Sequence, residues 1–109
     1  MIFMPKNRII QSSNGNGATV EIEILYTDSD SGFTLQRQTS TPGYLSERHD
    51  HTEREVVYVV KGILVDETGE YPAGKTKINE KGFIHRSHSG PEGCTILVWS
   101  RGDHAPVEK

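Results

Sequence analysis

Short stretches rich in β-branched and aromatic residues alternate with clusters of turn formers along this chain. The clusters recur at intervals of about eight to twelve residues, the rhythm of an all-β sandwich or closed barrel. They read SSNGNG at 12–17, DSDSG at 28–32, TPG at 41–43, DETGEYPAG at 66–74, EKG at 80–82 and SGPEG at 89–93. Between them the pattern predicts strands over TVEIEILYT (19–27), FTLQRQT (33–39), EVVYVVKGILVD (55–66), KTKI (75–78) and CTILVWS (94–100). No segment sustains a helical period or carries a strong N-cap followed by an amphipathic run. The expected architecture is a small antiparallel β-barrel forming a single domain over residues 1–109. Residues 1–18 read as an N-terminal arm, with a short edge strand at Ile2–Phe3 or Arg8–Gln11. Residues 102–109 read as a loose polar tail.

Alternation sorts side chains into two sets without saying which set faces the core. In FTLQRQT, Phe33, Leu35 and Arg37 share one side, and Thr34, Gln36 and Gln38 share the other. If the apolar pair faces inward, Arg37 goes with it, and a buried guanidinium is costly unless paired. Arg37 is then either a rim residue that reaches solvent or an anion or carbonyl clamp inside a cavity. In CTILVWS the same logic groups Trp99 with Thr95 and Leu97, against Cys94, Ile96 and Val98.

Composition narrows the function classes. Apolar residues make up 33% of the 109 residues and aromatic residues 7%. That is lean for a packed core, so a bound metal is a candidate for extra folding energy. A net charge of −3 from mixed signs argues against a nucleic-acid partner held by phosphate contacts. The single cysteine, Cys94, excludes an internal disulfide. The start, MIFMPKNRII, is too short and too interrupted for a signal sequence, and no run approaches a membrane span. A soluble cytoplasmic protein with no membrane partner is the resulting expectation.

The chemistry concentrates in GYLSERHDHTEREVVYVVKG, from Gly43 to Gly62. His49 and His51, at i and i+2 on an extended segment, share a face. Glu55 adds a carboxylate from the same stretch, and His85 supplies a further imidazole downstream. Imidazole with a carboxylate suits a borderline divalent ion. His88, three residues past His85, would face the opposite side of a strand and reads as a loop or rim residue. His104, in the tail, reads as inert.

Gly43, His49, His51, Glu55 and Gly62, followed by Gly74, Glu80, Gly82 and His85, resemble the two motifs of the cupin superfamily. The first motif matches at every defining position. In the second, Glu80 stands where the family usually has proline and Ser89 where it usually has asparagine, neither being a ligand position. The resemblance implies a jelly-roll β-barrel holding one divalent metal, Fe, Zn, Ni or Mn, through His49, His51, Glu55 and His85. The stretch LVDETGEYPAGKTKINEKGFIHRSHSGPEGCTILV narrows it further. It looks like the cupin domain of zinc-binding anti-sigma factors and the related acetylacetone-cleaving dioxygenases.

No segment here reads as the helical sigma-binding module of those anti-sigma factors, so that role is not expected of this chain alone. The resemblance instead implies a metal-dependent dioxygenase, Fe(II) being one option, acting on a small diketone or hydroxyketone. Arg37 and Tyr58 are the candidate catalytic helpers around the metal, and Tyr44 and Trp99 are further candidates for an apolar wall. The alternatives are a non-catalytic zinc-binding or ligand-sensing cupin and a small-molecule isomerase. A homodimer is expected, since a lean core leaves a small barrel in need of further burial.

Overall fold

Glycine and β-branched patterning produces strands and no helix among the described residues, so no helix there is long and apolar enough to cross a membrane. The computed structural model describes residues 8–12, 17–46, 49–50 and 53–101, with backbone alone for residues 8, 9, 11, 12, 49, 50 and 85. Among the described residues nine strands follow one another: β1 (Arg8–Ser12), β2 (Thr19–Thr27), β3 (Phe33–Ser40), β4 (His49–Asp50), β5 (Glu55–Asp66), β6 (Gly69–Pro72), β7 (Thr76–Asn79), β8 (Ile84–His85) and β9 (His88–Arg101). A large antiparallel sheet runs β1-β2-β3-β9-β5-β6, and β7 pairs with the first half of the same β5 edge that carries β6 further on. A small second sheet joins β4 to β8. Backbone bonds extend that ladder, from Ser46 N–H to the Ser87 carbonyl (2.8 Å) and from Ser89 N–H to the Tyr44 carbonyl (3.0 Å). The all-β antiparallel expectation is met.

Strands β2 and β5 have the predicted bounds. The differences lie where turn formers sit inside strands. GEYP forms β6, because Asp66 closes the hairpin locally: its Oδ1 accepts from the Thr68 amide (2.8 Å) and hydroxyl (2.6 Å). SGPEG lies within β9 as an irregularity, not a strand break. Partners of β5 jump from Cys94 to Ser89 between Gly62 and Leu64, so Pro91 lies where no regular ladder bond is needed.

Two glycines make this crossing possible. Gly62 and Gly93 have φ of 78° and 82°. A Cβ on Gly62 would overlap the Gly93 carbonyl oxygen, and one on Gly93 would sit 2.6 Å from the Ser40 carbonyl. Backbones approach there more closely than any side chain permits.

The bulges also reset the phase of β5. Glu55, Val57 and Val59 are buried before them, and Leu64 and Asp66 after. Val57, Val59, Leu64, Cys94 and Val98 form the main core, with Tyr71 and Ile96 against it. Ala18, Val20 and Tyr44 form a second cluster, with Ile22 alongside. Of the two sets on β9, the one with Cys94 and Val98 faces the core, while Trp99 remains 39% exposed and stacks on Phe33 at 5.5 Å.

Candidate metal centre

Register carries the inner phase of β5 across the sheet. Glu55 pairs with Asn79 on β7 and Ser100 on β9, and Ser100 pairs with Thr34 on β3. One inner-facing row therefore reads Thr34, Ser100, Glu55, Asn79, all of it polar. The next reads Gln36, Val98, Val57, Lys77. A sheet face directed at the interior would ordinarily carry apolar side chains at these positions. On β7 the ordinary pattern is inverted, with Lys77 (6%) and Asn79 (2%) buried and Ile78 (52%) exposed.

Hydrogen bonds connect these groups into one chain. Asn79 Nδ2 donates to Glu55 Oε1 at 2.7 Å. Asn79 Oδ1 accepts from the Lys77 ammonium. Lys77 Nζ pairs with Asp66 Oδ2 at 2.9 Å and lies 4.9 Å from the centre of the Phe83 ring and 5.6 Å from that of Tyr71. Thr68, which donates to Asp66, hydrogen-bonds through its hydroxyl to that of Tyr71 at 2.7 Å. A polar chain thus links Glu55, where β5 begins, to Asp66, where it ends. Next to Glu55 in the same row, Thr34 Oγ1 is buried and has no hydrogen-bond partner among the described residues. Such a group calls for a water or a ligand beside it.

The four residues expected to hold a metal come into view to different degrees. His49 and His85 are directly opposite one another in the β4–β8 register. Antiparallel partners of this kind are cross-strand neighbours. Glu55 is buried at 6% exposure, and His51 lies outside the described residues. Among the described residues, no three His, Cys, Asp or Glu gather to form a metal-binding group.

The donor set nonetheless fits a divalent ion on two counts. A buried carboxylate fixed by a neighbouring amide is the usual state of a ligating carboxylate. Two histidine positions from separate stretches of chain stand opposite each other in backbone register.

Arg37 and Tyr58 need correction as interior helpers. Both lie on the outer face: Arg37 pairs with Leu97 in register, Leu97 with Tyr58, and this row is out of phase with Glu55. Arg37 is about half exposed and bridges to Glu23 at 2.6 Å, while Tyr58 is 43% exposed. The reason is the phase of β3, whose Thr34 and Gln36 face inward and send Phe33 and Leu35 out with Arg37. Trp99 is likewise outside, whereas Tyr44 is buried in the second core cluster. His88, expected in a loop or at the rim, is the first residue of β9 and is exposed. Cys94 is buried, and desolvation pushes its thiol up to about 11, which makes it a poor nucleophile.

Two cavities adjoin these groups. One of about 40 Å³ lies between Gln38, Ser40, Tyr44, Ser89 and Cys94 and their neighbours. The other is an open groove of about 370 Å³ at the β7 edge, lined by Tyr71, Lys77 and Phe83 among others.

Sequence reasoning missed Thr34, Ser100, Asn79, Lys77 and Asp66. Thr34 on β3 and Lys77 and Asn79 on β7 share a signal, polar residues at every second position, which becomes informative only once the inner phase of β5 is known.

A family model, that of the ChrR cupin-like domain, matches residues 10–102. The chain belongs to the ChrR cupin-like domain family. Its strands accordingly form a cupin jelly roll, and solved structures agree. The ChrR anti-sigma factor of Rhodobacter sphaeroides, solved in complex with SigE, is 25% identical, with a TM-score of 0.68 over 79% of this chain and 46% of that one. An acetylacetone dioxygenase from Acinetobacter johnsonii is 12% identical, with a TM-score of 0.75 over 99% of this cupin and 76% of that chain. A cupin-like protein of unknown function from Ralstonia eutropha is 20% identical, with a TM-score of 0.69 over 76% and 55%. This cupin spans about half the length of the Ralstonia and Rhodobacter chains. No curated protein matches the sequence.

Proposed function

We propose that this cupin binds one divalent metal through His49, His51, Glu55 and His85, and that it is a metal-dependent dioxygenase acting on a small diketone or hydroxyketone. The observation that carries the metal site is Glu55: a carboxylate buried at the end of β5, held by Asn79 and lying in an all-polar row. Fold likeness to acetylacetone dioxygenases over 99% of the chain supports the choice of substrate class. When bound, the metal would supply Lewis acidity and a template for two substrate oxygens. The chain's own contribution is then positional. Asn79 holds one oxygen of Glu55, Thr34 offers an uncommitted hydroxyl beside the same row, and Gln36 and Gln38 put amides on the inner face. Val57 and Val98 form the next register row and join Val59 in the main core.

A second reading is favoured by the family itself. The matching family model is that of the ChrR cupin-like domain, and the ChrR structure is an anti-sigma factor bound to its sigma factor. On this reading the metal stabilises the barrel and nothing is turned over.

Oxygen uptake by the iron-loaded protein against β-diketones and hydroxyketones separates the two. Uptake lost in His85→Ala supports the dioxygenase, and silence across the panel with retained zinc supports the non-catalytic cupin. Self-association into a homodimer belongs to the same proposal, the outer face offering Ile78, Val56, Trp99 and Leu35 in one register row. A monomer by light scattering at micromolar concentration contradicts it.

A further inference from the structure

We infer that Lys77 is a positioning residue for Glu55, acting through the side-chain amide of Asn79. A lysine ammonium has donors and no acceptor, whereas an asparagine amide has one oxygen and one nitrogen that exchange places when it flips. Lys77 Nζ contacts the Asn79 amide, so the atom facing it must be the oxygen, and the nitrogen must then face Glu55. The orientation of Asn79 is thereby dictated by the donor beside it and does not depend on which way the amide was drawn. If the amide flipped, two oxygens would confront each other at the 2.7 Å separation now bridged by a proton.

Lys77 is itself fixed from three other directions. Asp66 Oδ2 holds Nζ at 2.9 Å, and the Phe83 and Tyr71 rings flank it. Asp66 in turn is held by both Thr68 donors. Asp66, Lys77 and Asn79 are all buried, so bulk water does not compete for these bonds. Carrying a charged lysine inward on β7 while Ile78 faces solvent is a poor way to stabilise a barrel. Setting the orientation of a single amide is what this arrangement accomplishes beyond stability.

Only one consequence rests on the metal-site reading: with Asn79 free to flip, Glu55 loses the donor that holds its Oε1, and a metal held partly by Glu55 binds more weakly. The closing experiment has two readouts. The first uses the metal-free protein and follows the Asn79 side-chain amide by ¹⁵N-resolved NMR. In the wild type at least one of its two protons should be displaced from its free-amide shift and exchange slowly with solvent. In Lys77→Met they should converge toward free-amide values and exchange quickly, while Lys77→Arg keeps the donor and retains the protection.

The second readout is zinc affinity by chelator competition. It should fall about ten- to a hundredfold in Lys77→Met and much less in Lys77→Arg. Amide release in Lys77→Met without any zinc binding by the wild type upholds the positioning role and removes the metal reading. An Asn79 amide unaffected by Lys77→Met overturns the inference, as does unchanged zinc affinity despite amide release. If Lys77→Met does not fold, the wild-type amide decides: free-amide exchange of both protons contradicts the inference, and protection upholds it.

Discussion

Val57 and Val59 in the middle of β5 and Glu55 and Asp66 at its ends are buried to a similar degree, with exposures of 3%, 0%, 6% and 9%. The valines achieve this by contact with Leu64, Cys94 and Val98, and any apolar side chain of similar volume would serve. The carboxylates achieve it with polar partners, among them Asn79 for Glu55 and Lys77 and Thr68 for Asp66. Burial of the first kind tolerates substitution according to size, and burial of the second kind depends on chemistry. The contrast separates the part of the sheet held by packing from the part held by specific polar contacts, and the metal-site proposal rests on the second.

The largest effect should come from Asp66→Asn, which leaves Lys77 buried without its charge partner. Chemical denaturation should show a loss of about 3–5 kcal/mol, the usual cost of breaking a buried pair. A loss under about 1 kcal/mol would mean that Lys77 escapes to solvent and the comparison fails. The double variant Asp66→Leu with Lys77→Met sharpens the point. Replacing both charges by apolar groups should recover most of that loss, which would locate the purpose of the pair outside stability.

Val59→Ala comes next, at about 2 kcal/mol for the lost methyls and the cavity left behind. Its metal content should match the wild type, because the valine middle serves only to pack.

A smaller effect concerns pH at Cys94. Burial lifts its thiol from 9.0 to about 11, so the folded state favours the protonated form. That contribution is complete below the unfolded thiol's range and is lost as pH rises from about 9 toward about 11. Denaturation across this window should show a decline that Cys94→Ala shares less. At pH 8 a thiol reagent should label the unfolded chain and leave the native one unmodified.

The smallest effect belongs to Arg37→Ala. Its bridge to Glu23 lies on the outer face, and removing it should cost at most about 1 kcal/mol, with metal content unchanged. A drop in metal content would return Arg37 to the site.

The sequence made the fold largely readable because β2 and β5 combine β-branched residues with bounding turn formers, and local pattern suffices for such strands. It misled on β6 and on the start of β9, where a hairpin closed by Asp66 and an irregularity opposite Ile63 keep turn residues within strands. The candidate ligands were legible through the spacing of His49, His51, Glu55 and His85, which is a property of the chain itself. The Lys77–Asn79 relay was not. Which side of KTKIN faces inward depends on its register against Glu55, 24 residues earlier in the chain. Arg37 was placed with Phe33 and Leu35 correctly, yet the face that this trio shares is the outer one. The polar members of β3 take the inside because the row they join, with Ser100, Glu55 and Asn79, is polar throughout.

The most direct test of the metal centre is elemental analysis of the purified protein after reconstitution with iron, zinc, nickel or manganese, set beside His51→Ala treated identically. The account predicts about one divalent ion per wild-type chain and a marked reduction in the variant. No bound metal in the wild type under any of these conditions would contradict it.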